Sequence, residues 1–306
     1  MLIPYRLALN IYRVPYISIG IIVTCVLVFL AQLHNSSSIY GALQGYCDTH
    51  KDGRFQRVAR AIHGPAPWHD SCITLLYEIH VAEEPKRRIA QFAAEAPGLA
   101  RPNRENSKRR IQEVLTARYA DVRRNVPRDL TSTLVYQSGS FNVARMFTSD
   151  VAHAGWMHLI FNLIFFAAFA PAVELILGTG GFLVALTAVV LGEHLIFSLW
   201  HAGSDPPVTV VGLSGVVAAM MGLLTYLWPG ARIRCLLVIV VVPIRVTLPA
   251  LLLAVGFVGW DIYYLTESPD SGVSFISHVG GFAVAIAYGA LFLRRTKREL
   301  PALIGH

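Results

Sequence analysis

Charged residues are scarce in this sequence. Asp, Glu, Lys and Arg make up 15% of its 306 residues, whereas a soluble domain holds about 25%. Hydrophobic residues reach 54%, and the mean hydropathy is +0.51. The composition therefore excludes an ordinary soluble domain and indicates a membrane protein.

Cysteine is also scarce. The sequence has 4 cysteines and no CxxC motif or His/Cys cluster, so it predicts no metal site, and we expect no cofactor. Cys25 and Cys235 lie in or beside apolar runs, whereas Cys47 and Cys72 lie in a long polar segment. A disulfide bond between Cys47 and Cys72 fits an extracytoplasmic segment, but two cysteines leave the pairing open.

Other absences narrow the class of protein. The sequence has no internal repeat and no low-complexity tract, and without an inverted repeat a transporter is disfavoured. The first apolar run is too long for a cleavable signal, and no clear small-x-small site follows it, so we expect a retained span. The net charge of +7 fits membrane topology and anionic headgroups better than nucleic acid. We therefore expect the lipid bilayer, and no nucleic acid, as a partner.

Long apolar runs are what the sequence does have. A helix needs about 20 apolar residues to cross a bilayer, and five runs come close: 17–33, 156–177, 181–200, 208–228 and 275–293. A sixth lies within 235–265. We place its span at about 246–265, after an interfacial or re-entrant segment at 235–242, and two short helices are the alternative. We therefore expect an all-α membrane protein with a core of six transmembrane helices.

Basic residues set the expected orientation. They precede the first span, separate the fourth from the fifth and follow the sixth, at Arg6, Arg13, Arg232, Arg234, Arg294, Arg295, Lys297 and Arg298. Loops on the other face carry Asp205, Glu267 and Asp270 instead. By the positive-inside rule, both termini are cytoplasmic. The Ala- and Arg-rich composition and the compact loops suggest a bacterial inner membrane.

The spans divide the chain into four segments. A cytoplasmic N-terminus and first span (1–33) precede an extracytoplasmic insert or cap (34–145). The remaining five spans form a core at 146–295, and a cytoplasmic tail follows at 296–306. We expect the insert to be mostly helical, with helical apolar spacing over 73–94 and 111–124 and a short strand at 133–136. Its role is left open.

Ser214 stands out within the fourth apolar run, in the motif Gly212-Leu213-Ser214-Gly215. Isolated polar residues in hydrocarbon are costly and usually functional. His158 and His278 lie near the start of the second and sixth runs, and all three spans run in the same direction. From the helical rise, the depths of these residues differ by about 6 Å. We therefore expect all three at one level, in the outer half of the membrane.

These residue types fit acyl transfer. A serine and a histidine that meet can serve as nucleophile and base. Asn162 lies four residues after His158 and shares its helical face, so both side chains and the Ser214 backbone N–H can donate to an oxyanion. Gly212 and Gly215 allow helices and a substrate backbone to approach Ser214. Taken singly, each of these residues is more often structural.

At these motifs the sequence resembles the rhomboid family of intramembrane serine proteases. Four elements carry the resemblance: an HxxxN element (His158, Asn162), an ExxxG element (Glu174, Gly178), a nucleophile element (Gly212-Leu213-Ser214-Gly215) and an AHxxG element (Ser277-His278-Val279-Gly280-Gly281). The resemblance covers about residues 1–33 and 140–300. The insert falls where the family has its long first outer loop.

The resemblance implies a six-helix core with a water-filled cavity open to the outside. Ser214 would attack the scissile carbonyl, and His278 would take its proton, as a dyad without an orienting carboxylate. His158, Asn162 and the Ser214 N–H would stabilise the oxyanion, with structural support from Gly212, Gly215, Glu174 and Gly281. Substrates would be single-span transmembrane proteins, cleaved near the outer membrane face.

The sequence departs from the family pattern at three positions. Ala218 stands where the family often has an aromatic residue that stacks on the histidine. Ser277 replaces an alanine, and Ala285 ends the GxxxG that begins at Gly281. No catalytic atom is lost, so we expect an active enzyme. A catalytically weak or inactive rhomboid-like protein that binds membrane-protein clients is the alternative.

Overall fold

Two compact units make up the chain. The computed structural model describes residues 2–7, 14–63, 67–96, 104–239, 242–267 and 273–304. The core unit comprises Met1–Phe29 and Leu134–His306, and the insert unit comprises Leu30–Thr133. Arg13 and Asp270, which enter the orientation argument, lie outside the described residues.

Helices dominate the described residues. In chain order the elements are β1 (Leu2–Leu7), α1 (Tyr16–Thr49), α2 (Gly53–His63), α3 (Trp68–Val81), α4 (Pro85–Glu95), α5 (Arg104–Asn125), α6 (Leu130–Leu134), β2 (Tyr136–Gln137), α7 (Val143–Val151), α8 (Trp156–Trp200), β3 (Thr209–Val210), α9 (Ser214–Leu227), β4 (Arg232–Ile239), β5 (Val242–Pro249), α10 (Ala250–Glu267), α11 (Phe275–Phe292) and α12 (Arg294–Ile304).

Four of the described helices, α1, α8, α10 and α11, are long and apolar enough to cross a membrane, and α9 is a shorter apolar helix. The prediction of a helical membrane protein is therefore confirmed. Within α8, Gly178 has a φ of 71°, a conformation that glycine adopts readily. This kink separates the second and third predicted spans, so the six predicted spans correspond to α1, the two halves of α8, α9, α10 and α11.

The residues before α10 form strands, and the predicted start of the fifth span at Val246 is wrong. β4 and β5 form an antiparallel hairpin whose register runs from Arg232↔Pro249 to Ile239↔Val242. β1 pairs with the other edge of β4, giving the order β1-β4-β5. Valine and isoleucine are frequent in this segment and favour strands. The two short helices considered as an alternative are also excluded for the described residues, although 240–241 lie outside them.

The fourth predicted span is shorter than the apolar run that predicted it. Thr209 and Val210 form β3, which pairs with β2, so α9 begins only at Ser214. The 14 residues of α9 rise about 21 Å, against a hydrocarbon core about 30 Å thick. Taken as a straight helix, α9 is therefore too short to cross the hydrocarbon core by itself.

The apolar core of the core unit gathers around α9, which is buried along most of its length and packs mainly against α11 and α8. Small residues permit the close approach of α9 and α11. A Cβ atom at Gly222 would lie 3.1 Å from Cβ of Ala285, and small residues at such crossings are typical of membrane helices. Ala285 therefore serves the close packing that the expected glycine would serve.

Glu174 holds the start of α1 against α8. Its carboxylate accepts from the backbone N–H of Ile17 at 2.9 Å, from that of Ser18 at 2.8 Å and from the Ser18 hydroxyl at 2.6 Å. The first N–H groups of a helix have no intrahelical acceptor, and a carboxylate there also interacts favourably with the helix dipole. Glu174 therefore caps one membrane helix from another.

The insert unit is a helical bundle with its own apolar core, formed by residues of α1 to α5 that include Phe55, Leu75, Leu76 and Leu115. Cys47 and Cys72 form a disulfide bond, which resolves the pairing that the sequence left open. Beside the bundle, Arg118 contacts Asp52 at 3.0 Å. The backbone N–H of Arg54 and the Arg118 guanidinium lower the pKa of Asp52.

Two details of the predicted insert differ from the structure. The helical pattern at 73–94 forms two helices, α3 and α4, which are separated between Val81 and Pro85. The strand expected at 133–136 is instead the end of α6 followed by β2, which pairs with β3. Residues 134–145 consequently belong to the core unit. Apolar spacing predicted the helical character but not the break or the long-range strand pairing.

Candidate active site

A cavity of about 710 Å³ lies in the core unit, and Ser214, His278, His158 and Asn162 all line it. Its volume is in the range of small-molecule and peptide-accepting pockets. Most of the remaining wall is apolar and includes Phe161, Phe165, Val217, Met221 and Phe257. The structure thus brings the four residues predicted for catalysis into the lining of one largely apolar cavity.

Ser214 is the first residue of α9 and follows a loop fixed at both ends. The Ser138 N–H donates to the Val208 carbonyl at 2.8 Å, and the Gly212 N–H donates to the Ser149 carbonyl at 2.8 Å. Gly212 has a φ of 110°, and a Cβ atom there would lie 2.7 Å from Nε2 of His158. Glycine therefore serves both the backbone turn and the approach of the His158 ring.

Two glycines bring the helices of the serine and the histidine together. A Cβ atom at Gly281 on α11 would collide with the Gly215 carbonyl oxygen on α9, and one at Gly215 would collide with the Glu193 carboxyl group on α8. Gly215 directly follows Ser214, and Gly281 lies about one turn after His278. The contact between these glycines therefore places Ser214 and His278 on facing parts of α9 and α11.

His158 and Asn162 are arranged as hydrogen-bond donors. The Ala154 N–H donates to Nδ1 of His158 at 3.4 Å, so a neutral ring carries its proton on Nε2, the atom beside Gly212. One amide hydrogen of Asn162 is donated to the His158 carbonyl at 2.9 Å, and the amide has a second hydrogen to donate. Both side chains can therefore donate towards negative charge in the cavity.

The comparison with known families agrees with this geometry. The family model described as the rhomboid domain matches residues 140–295. The chain belongs to the rhomboid family. The match contains all the residues that line the cavity, Ser214, His278, His158 and Asn162 among them. The family consists in general of intramembrane serine proteases. A comparison with curated proteins finds no match to the chain.

The catalytic histidine expected in a rhomboid, His278, contacts a carboxylate that the sequence reasoning missed. Nδ1 of His278 lies 3.2 Å from Oδ2 of Asp261 on α10, and Asp261 also lines the cavity. The side chains of Ser214 and His278 share the cavity without a direct hydrogen bond, and such bonds are often long before substrate binds. Asp261 had the same sequence signal as Ser214, an isolated polar residue within a membrane span.

Ala218 also lines the cavity of this rhomboid, but its methyl group offers no aromatic face to the histidine. The Phe275 ring approaches His278 edge-on, with the ring centroids 6.1 Å apart. The aromatic partner that the family often places on α9 is thus replaced by an edge contact from α11 and by the carboxylate of Asp261.

A second group of buried polar residues lies behind Gly215. Oxygen and nitrogen atoms of Asp150, Glu193 and His194 lie within 4.8 Å of one another, close enough to share a cation. Burial raises the pKa of Asp150 well above its ordinary value. His194 is fixed by contacts to the Val190 carbonyl at 2.9 Å and the Ser149 hydroxyl at 3.0 Å. This cluster braces α7 against α8 behind the glycine contact.

Proposed function

We propose that this rhomboid is an intramembrane serine endopeptidase that acts through an acyl-enzyme. The observation that carries the proposal is the shared cavity, which is lined by a serine at a helix start, a histidine and two further donors. Nucleophile, base and oxyanion donors are the set that acyl transfer needs. Ser214 is the nucleophile and His278 the general base.

The reaction has two halves. Ser214 Oγ attacks the scissile carbonyl carbon while its proton passes to His278. The negative charge on the carbonyl oxygen is stabilised by His158, Asn162 and the Ser214 backbone N–H. His278 then gives the proton to the departing amine, which leaves an ester on Ser214. Water enters the cavity, loses a proton to His278 and attacks the ester carbon. The bond from that carbon to Ser214 Oγ then breaks, His278 returns the proton to Oγ, and the second product leaves as a carboxylic acid.

The substrates that fit this site are single-span transmembrane proteins. Ser214 is the first residue of α9, which is too short to cross the bilayer, so the site lies within the membrane thickness. The orientation expected from the basic residues puts it on the outer side. A substrate helix that unwinds near the outer face presents its backbone at that depth. This placement requires both termini of the enzyme in the cytoplasm and the insert outside, as the basic residues predict. The Ala- and Arg-rich composition and the compact loops favour a bacterial inner membrane as its location.

The test is cleavage of a model single-span substrate by the purified protein in liposomes. We expect wild-type protein to cleave, and Ser214→Ala and His278→Ala to lose activity by about 10³-fold or more. Ser204→Ala, at an exposed loop serine, is the matched control and should cleave normally. A fluorophosphonate probe should label wild-type protein but not Ser214→Ala.

Two outcomes would contradict the proposal. Cleavage that survives Ser214→Ala would exclude Ser214 as the nucleophile. A wild-type protein that neither cleaves nor reacts with the probe, yet co-purifies with membrane-protein clients, would establish the inactive client-binding alternative.

A further inference from the structure

Asp261 and His278 meet across α10 and α11 in the wall of the cavity that holds Ser214. Oδ2 of Asp261 lies 3.2 Å from Nδ1 of His278, and the two side chains are 11% and 17% exposed. We propose that Asp261 is a positioning residue that orients His278 and completes a Ser–His–Asp triad. The proposal rests on the proposed function. It also goes beyond it, because the family resemblance implies a dyad without a carboxylate.

The contact selects one tautomer of the histidine. An ionised carboxylate can only accept hydrogen bonds, so the ring must carry its proton on Nδ1 when it faces Asp261. Nε2 of His278 then has a free lone pair, which is the form needed to take a proton from Ser214. A base whose other nitrogen is held by a third group is the arrangement found in activated nucleophiles.

The carboxylate also favours the charged form of the base. Once His278 has taken the serine proton, the ring is positive and lies beside the buried Asp261. Oppositely charged groups interact strongly when they are shielded from water. Asp261 therefore stabilises the ion pair that forms in the transition state, more than it stabilises the neutral ring of the resting enzyme.

Asp261 has a role that the other side chains around the His278 ring do not fill. Ala218 offers a methyl group, and Phe275 offers a ring edge with its centroid 6.1 Å from that of the imidazole. Neither contact distinguishes Nδ1 from Nε2 or fixes the rotation of the ring. The hydrogen bond from Nδ1 to Asp261 does both.

Polar groups on three helices lie around His278. Asp261 contacts the ring from α10, and His158 lines the same cavity from α8. Glu193 lies near Gly281, about one turn further along α11. Of these described groups, Asp261 is the one in hydrogen-bond contact with the ring. Its removal should therefore disturb the orientation of the ring most.

The first experiment compares Asp261→Asn, Asp261→Ala and Asp261→Glu in the liposome cleavage assay. We expect Asp261→Asn to lower kcat by about 100-fold or more, because its amide can donate to Nδ1 and so favours the wrong tautomer. KM should change little. Asp261→Glu should recover part of kcat, and Glu267→Gln, an exposed carboxylate on the same helix, should behave like wild type.

The division of the effect between kcat and KM separates positioning from a purely structural role. A side chain that only supports the fold should lower the amount of folded protein and leave kcat per folded molecule unchanged, whereas a positioning residue should lower kcat itself. Unchanged kcat in Asp261→Asn would overturn the proposal. If Ser214→Ala is inactive in the same series, the proposed function survives that result. A wild-type protein that neither cleaves the substrate nor reacts with the fluorophosphonate probe would contradict both the triad and the proposed function.

A second measurement does not depend on whether the Asp261 variants fold. Nitrogen-15 NMR of histidine-labelled wild-type protein should show His278 with its proton on Nδ1, assigned by the loss of that signal in His278→Ala. A neutral His278 with its proton on Nε2 would overturn the proposal.

Discussion

At the residue scale, glycines allow the helices that carry Ser214 and His278 to pack closely. Gly215 adjoins Ser214, and Gly281 lies about one turn after His278. A Cβ atom at either position would collide with the Gly215–Gly281–Glu193 contact. Because these two positions have no side chain, α8, α9 and α11 can pack close enough to form the site.

Gly215→Ala tests this close approach. The added methyl group would overlap the buried Glu193 carboxyl, and overpacking of this kind costs about 2–3 kcal/mol. We expect a lower midpoint of thermal unfolding in detergent and loss of substrate cleavage. Gly256→Ala on α10 is the control, because a Cβ atom there meets nothing within 4 Å. Equal stability of the two variants would show that the contact at Gly215 is not tight.

The sequence pointed to candidate site residues where a polar side chain interrupts a long apolar run. Ser214 and His278 are polar residues in apolar runs long enough to span a membrane, and the direction of the spans predicts one depth for them. Asp261 carries the same signal, but its partner depends on how α10 rotates against α11. That rotation is fixed by packing between helices distant in sequence, and no local pattern records it.

At the element scale, the start of α1 depends on a residue from another helix. Glu174 accepts three hydrogen bonds from Ile17 and Ser18. Glu174 and Ser18 are both buried, and buried donors that lose their acceptor are costly. The family resemblance predicted a supporting role for Glu174 but not its partners. The acceptor therefore determines where the first membrane helix begins.

Glu174→Ala should destabilise the core unit more than Glu174→Gln. Alanine leaves the donors of Ile17 and Ser18 without an acceptor, which we expect to cost about 3 kcal/mol. Glutamine keeps one acceptor oxygen and should cost about half as much. Chemical unfolding followed by intrinsic tryptophan fluorescence measures both. If the two variants were equally stable, the hydrogen bonds would not be what holds α1.

Hydropathy predicted where the apolar segments lie better than it predicted where their helices begin and end. The apolar run at 208–228 became a helix only from Ser214, because Thr209 and Val210 pair with β2. The Val-rich run before α10 became β4 and β5, which also pair with the N-terminal strand β1. In both cases a long-range strand partner decides the structure. Apolarity alone does not distinguish a membrane helix from a buried strand.

At the scale of the whole molecule, the disulfide bond bears on topology. Cys47 on α1 and Cys72 on α3 are joined within the insert unit. Disulfide bonds persist in oxidising compartments and are rare in the cytosol. The bond therefore supports an insert outside the cytoplasm, in agreement with the orientation expected from the basic residues. Two independent physical arguments, charge distribution and thiol chemistry, thus favour the same topology.

Thiol labelling of protein taken directly from cells tests that topology. The free cysteines are Cys25 and Cys235, so a denatured sample should add two maleimide–polyethylene glycol groups without reductant and four after reduction. Cys47→Ser frees Cys72 and should add three in either case. The bond closes a sequence separation of 25 residues, so reduction should destabilise the insert unit by about 3.5 kcal/mol. Labelling of all four thiols without reductant would contradict an extracytoplasmic insert, because the bond would then not form in the cell.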